Sequence, residues 1–141
     1  MHDHFLRSVS LHFDAAIAKA IEALNAEGFG VSPDIDIAAT LKQSLGVEFR
    51  KSRILGACNP PPALKALAAE DKIGATPPCN VIVQARAEGG LELATIDPRA
   101  AMRRLGDPAL AAAAEEVAEW LARAASRLIG ASGLLAARVC L

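Results

Sequence analysis

Apolar and polar residues alternate near the start of the chain. Phe5, Val9, Leu11 and Phe13 share one side of an extended segment with Arg7, and Ser8, Ser10 and His12 share the other, which predicts a half-buried strand over 5–13. The period then lengthens. Ile17, Ala20, Ile21 and Leu24 recur at helical spacing, Asp14 stands where an N-cap belongs, and Gly28 is placed to stop the helix. Phe29 to Val31 predicts a short strand. Asp36 then caps a second helix that turns Ile37, Leu41 and Leu45 inward and ends at Gly46. From Phe49 the sequence begins polar and becomes a continuous apolar run, Ile54-Leu55-Gly56-Ala57-Cys58, as a buried central strand does.

Asn59 has the position of an N-cap and Pro60 that of a first helical residue, where a missing N–H costs nothing. The third helix so begun runs through Leu64 and Leu67 to about Glu70, and Thr76-Pro77-Pro78 reads as an extended or turn segment. Val81–Ala87 and Leu91–Ile96 predict a hairpin around Glu88-Gly89-Gly90. Asp97-Pro98 and Asp107-Pro108 repeat one helix-start signature, with Gly106 between them. The second opens a long helix with Leu110, Val117, Leu121, Ala124 and Leu128 along one stripe and Trp120 off it. Its acids Glu115, Glu116 and Glu119 precede Arg123 and Arg127, the order the helix dipole favours. The element order predicts an α+β fold: one mixed or antiparallel sheet of about five strands with helices packed against it, plus a long C-terminal helix. Its 141 residues fit one domain, and no repeat of domain-building length occurs.

Composition trims that picture. Thirty-one of the apolar residues are alanine, which leaves 43 larger apolar side chains, enough for one core and too many for a disordered chain. A net charge of −1 gives no electrostatic case for nucleic acid or an anionic membrane, and one Trp, four Phe and no Tyr leave little for stacking bases. No apolar run has membrane-spanning length, and Met1-His2-Asp3-His4-Phe5 is charged where a signal peptide would be apolar, so a soluble cytoplasmic protein is expected. Three cysteines, Cys58, Cys79 and Cys140, are too few for a disulfide scaffold and are expected to be thiols.

Several blocks are similar to a known family. Gly28-Phe29-Gly30-Val31, Ile35-Asp36 with Ala39-Thr40-Leu41, Leu45-Gly46-Val47, Ile54-Leu55-Gly56-Ala57-Cys58-Asn59-Pro60-Pro61, Pro78-Cys79-Asn80-Val81 and Ile96-Asp97-Pro98 resemble the "domain of unknown function 302" family over roughly residues 5–100. The resemblance implies a small bacterial or archaeal α+β domain that forms homodimers, and it implies no activity. Residues 101–141 then form a helical extension to that core. Two departures stand out: Pro62 and Leu64 follow the Asn-Pro-Pro block where an apolar residue and then often His are expected, and Thr76-Pro77 precede Pro78-Cys79-Asn80 where leucines are usual.

The remaining chemistry is sparse. Gly-x-Gly-x-x-Gly, Gly-Lys-Ser/Thr and Gly-x-Ser-x-Gly are all absent, so nucleotide loops and serine nucleophile elbows have no support, and no cofactor is expected. Cys58 ends an apolar strand just before a helix N-terminus, a setting that favours a thiolate, whereas the apolar run before it predicts burial and an inert thiol. No Cys-x-x-Cys or His-x-x-x-His pairing supplies a zinc site, and His2 and His4 read as a solvated terminus and His12 as surface. Arg50, Lys51 and Arg53 form the one basic cluster, read as a solvated strand end with an anion contact as the alternative. The reading is a non-enzymatic homodimer that binds a small ligand or partner near Cys58, Asn59, Cys79 and Asn80. The alternative is a thiol-dependent enzyme or redox protein using Cys58. Alanines along the long helix, which let helices approach closely, agree with a dimer.

Overall fold

Three aspartates start helices as their positions predict. The Asp36 carboxylate accepts from the Ala39 amide at 2.9 Å, Asp97 from Arg99 at 3.0 Å and Asp107 from Ala109 at 2.8 Å, each satisfying a donor that a helix start leaves open. A computed structural model describes residues 4–9, 12–72, 79–87, 90–129 and 138–140, and at 4–9, 79, 96, 101, 128, 129 and 138–140 it describes the backbone. The elements are β1 (His4–Val9), α1 (Phe13–Ala26), β2 (Gly30–Asp36), α2 (Ile37–Leu45), β3 (Ser52–Cys58), α3 (Pro60–Ala69), β4 (Cys79–Ala85), β5 (Leu91–Ile96), α4 (Pro98–Arg103), α5 (Pro108–Ile129) and β6 (Arg138–Cys140). Glu88 and Gly89, the tip of the expected hairpin, and the Thr76-Pro77-Pro78 segment lie outside the described residues, as do His2 and Leu11.

The α+β fold is as expected, and the sheet is larger than expected. Among the described residues its six strands run β2-β3-β4-β5-β1-β6, every neighbouring pair antiparallel. The additional strand is β6, which pairs Arg138–Cys140 with His4–Leu6 at the sheet edge, in a tail expected to be helical. Three residues are too short a run to carry a strand period.

One face of the sheet carries Leu55, Ala57, Val81, Val83, Leu91 and Leu93, and α1 and α5 lie on it. From α1 come Ala16, Ile17, Ala20, Ala23 and Leu24, and from α5 Leu121, Ala124 and Ala125, so alanines at the crossing bring two helices and a sheet into one layer of contact. α3 and α4 pack on α5 in turn. Trp120, off the stripe, packs partly buried against this core with Val117.

Other expectations need correction. The first strand ends at Val9, and Phe13 begins α1 with His12, not Asp14, as its N-cap. Phe13 fits both periods: it completes the alternation, and as a helical residue it lies one turn before Ile17. β2 runs on to Asp36 because an edge strand absorbs Ser32-Pro33 as a register shift between Val31 and Asp34. The inward face expected of α2 is only partly kept, with Ile37 and Leu41 half-buried. No α2 residue is buried and Leu45 is 70% exposed, while α3 buries Pro62 and leaves Leu64 at 71%. Both helices lie at the rim, α2 against β2 and β3 and α3 against α5, where the sheet offers no broad apolar face to cover them.

Candidate functional site

The end of β3 gathers the motif residues. Gly30 of β2 pairs with Cys58, and on the other side Ala57 pairs with Cys79 and Gly56 with Asn80. The Gly-Phe-Gly, Ala-Cys-Asn-Pro and Cys-Asn-Val blocks therefore meet at one end of three adjacent strands. Strand alternation places Cys58, Gly56 and Ile54 on the face away from α1 and α5, and the register adds Asn80 and Ile82 to it. Cys79 stands one position short of Cys58, at the register position of Ala57.

Glycine at 56 is required by close approach. A Cβ there would lie 2.8 Å from Pro33 Cδ and from the Ser32 carbonyl oxygen, so the irregular part of β2 can cross this point only because β3 carries no side chain. Asn59 is buried and does not cap α3. Its side-chain amide donates to the Glu27 carbonyl at 3.1 Å, bracing the turn at Gly28, whose φ of +87° is a glycine conformation. The cap expected of Asn59 has nothing to bond. N-caps accept from amides of the first turn, and here those positions are Pro60, Pro61 and Pro62.

Cys58 is a free cysteine and exposed, not buried as the preceding apolar run predicts, because it is the last residue of its strand and emerges at the sheet end. The same triple proline bears on its chemistry. A helix N-terminus favours a thiolate through its free amides, and α3 has none in its first three positions. The next amide, Ala63, already donates to the Asn59 carbonyl at 3.1 Å. Leu64, on the rim of the same helix, is an exposed apolar side chain and no proton acceptor.

One residue that sequence reasoning passed over organises the region. The Glu27 carboxylate accepts from Arg123 Nε at 3.0 Å and from Arg127 at 3.0 Å, while its carbonyl takes the Asn59 amide, so a single residue ties the end of α1 to α5 and to the start of α3. The Arg123 hydrogen bond holds its carboxyl below the ordinary value, burial opposing and Arg127 adding to the effect. These partners lie about a hundred positions apart in sequence, and only their charge signs hinted at them.

The basic cluster has dispersed. Arg53 reaches Asp34 with Nε 2.8 Å from Oδ1, Arg50 donates to the Ala85 carbonyl at 3.2 Å and lies over the Phe49 ring, and Lys51 lies 5.7 Å from the centre of the Phe13 ring. Among the described residues no group of three His, Cys, Asp or Glu side chains converges to hold a metal, and no helix is long and apolar enough to cross a membrane.

The fold has a solved counterpart. The crystal structure of an uncharacterized conserved DUF302 protein from Bacillus stearothermophilus matches with a TM-score of 0.83 and 27% identity, over 91% of this chain and 99% of that one. No curated protein matches. The family described as "Domain of unknown function DUF302" matches residues 6–128, past the blocks that carry the resemblance and through nearly all of α5. With fold, motif blocks and this match in agreement, the chain belongs to the DUF302 family.

Proposed function

We propose that the protein is a non-enzymatic homodimer that takes up a small ligand or partner at the β3–β4 end of the sheet, with Cys58, Asn59, Cys79 and Asn80 around the site. One observation carries the reading: exposed Cys58 and half-buried Asn80 sit on the sheet face that α1 and α5 leave, beside Ile54 and Ile82. An accessible thiol and an amide at the rim of an apolar strip suit recognition. Catalysis would need an activated nucleophile, and the triple proline strips the thiol of helix amides. The same strip, with Ile35 39% exposed and Ile54, Ile82 and Ala94 half-buried, suits a second copy of the chain.

Two measurements test this. Sedimentation should give a mass near twice 14.6 kDa, and Ile82→Glu should return the protein to a folded monomer. A native protein that sediments at 14.6 kDa removes the dimer. Iodoacetamide labelling of the native protein, read residue by residue, should find Cys58 reacting only modestly faster than Cys140. Labelling many-fold faster than Cys140 at about pH 6 would instead establish the competing reading, a thiol-dependent enzyme using Cys58.

A further inference from the structure

The opposite end of β3 carries a concavity, roughly 20 Å from Cys58 by strand rise and on the helix-bearing side of the sheet. It is an open groove of about 440 Å³ between the start of α1, α2 and the start of β3. That volume lies in the range of small-molecule sites, about 300–1,000 Å³. Its aromatic walls differ. Phe13 is fixed by packing against the core, while Phe49 is 45% exposed and has the Arg50 guanidinium over its ring.

The groove holds three cations and three acids, and most are engaged. Lys42 pairs with Glu48 at 2.9 Å, Arg53 is held by Asp34, and Asp36 gives one oxygen to the Ala39 amide. Lys51 and Asp14 remain. Neither has an ion pair among the described residues, though the Asp14 charge also acts on Arg53, and Lys51 is exposed with its ammonium 5.7 Å from the centre of the Phe13 ring.

We propose that this groove binds a small zwitterion of the amino-acid type with an apolar side chain, its carboxylate on Lys51, its ammonium on Asp14 and Asp36, and its side chain between Phe13 and Phe49. A simple anion there would also face Asp14 and Asp36, and a simple cation would face Lys51 and Arg53. A molecule carrying both charges meets both partners, and the aromatic walls take the rest. This site is separate from the one around Cys58, so either can fail without the other.

The test is a two-dimensional amide NMR titration of the full chain with L-phenylalanine, with 3-phenylpropionate, which lacks the ammonium, and with phenethylamine, which lacks the carboxylate. Phenylalanine should shift the Ala38, Ala39 and Lys51 amides saturably, and each analogue should bind about tenfold more weakly or worse. Lys51→Ala and Asp14→Asn, both at exposed positions, should each weaken phenylalanine binding about tenfold, and Lys51→Arg should restore it. Equal binding of either analogue overturns the proposal. So does an absence of saturable shifts up to about 10 mM phenylalanine, or an affinity that neither substitution moves.

Discussion

Helices α5 and α3 pack against each other and are both rich in alanine, yet they differ completely in what they bury. Of the stripe predicted for α5, Leu110, Leu121 and Ala124 are buried and Val117 is half-buried, the Leu128 side chain lying outside what is described, and Ala114, Ala118 and Ala125 are buried beside them against the sheet and the neighbouring helices. In α3 the buried residue is Pro62, while Leu64 and Leu67 face outward at 71% and 47% exposure. The difference is one of partner area. A helix buries its stripe when a sheet face or a helix pair waits for it, and the main partner of α3 is the single helix α5. Periodicity reports that a helix forms, and the surroundings decide which side is inside.

The largest expected effect breaks this contrast directly. Leu121→Ala should destabilise the protein by about 2–5 kcal/mol, since Leu121 is 1% exposed amid Ala20, Leu24, Val81 and Leu93 and its loss leaves a void there. Leu64→Ala should change stability by no more than about 0.5 kcal/mol. Chemical denaturation of the two variants decides the matter, and a Leu64→Ala loss of several kcal/mol would mean that α3 is covered by something in solution.

That contrast also explains what the sequence made legible. Asp36, Asp97 and Asp107 were readable as caps because their partners lie two or three residues ahead. The order of elements was readable for the same local reason. Phe13 was misassigned because one residue satisfied two periods at once. Asn59 was misread because its bond goes to the carbonyl of Glu27, thirty-two positions back, and three prolines removed the amides it would have capped. In the candidate site, all four residues lie at one sheet end, but Cys58 and Asn80 share one face while Cys79 holds the register position of Ala57 on the other and Asn59 turns to Glu27, and the run Ile54–Ala57 concealed that Cys58 emerges at its limit. Burial at a strand end depends on where neighbouring strands stop, which no single strand records.

An intermediate effect concerns Asp97, at the junction of β5 and α4, the helix that packs on α5. Asp97 is 2% exposed, and its carboxylate takes the Arg99 amide and the Arg99 guanidinium, with Nε at 2.9 Å from Oδ1. Burial pushes its carboxyl up, and the hydrogen bonds and charge of Arg99 outweigh that and bring it below its ordinary 3.8. A carboxyl depressed in the folded state adds stability that is complete above its unfolded value and disappears as pH falls through the folded one. Glu27, also held low, behaves the same way from its ordinary 4.5. The protein should therefore lose stability progressively as pH drops below about 4.5, and Asp97→Ala should flatten the most acidic part of that loss while costing about 1–3 kcal/mol at neutral pH. An unchanged acid limb in Asp97→Ala would show that the pair contributes nothing to folding.

The smallest effect sharpens the account of the well-packed region itself. Thr95, on β5 between Phe5 and Val81 in register, is 2% exposed, and its hydroxyl has no hydrogen-bond partner among the described residues. It lines a small void with Ala20, Leu24, Leu121 and Ala124, directly where α1 and α5 meet the sheet. A buried hydroxyl without a partner carries its desolvation cost uncompensated, about 1–3 kcal/mol. Valine has nearly the same shape and no such cost, and β-branching suits the strand. Thr95→Val should therefore raise stability by about 1 kcal/mol at any pH, leaving the acid limb set by Asp97 and Glu27 where it was. A net loss on the same substitution would show that the hydroxyl is satisfied in solution, and that the α1–α5 crossing is a polar-braced contact instead of a purely apolar one.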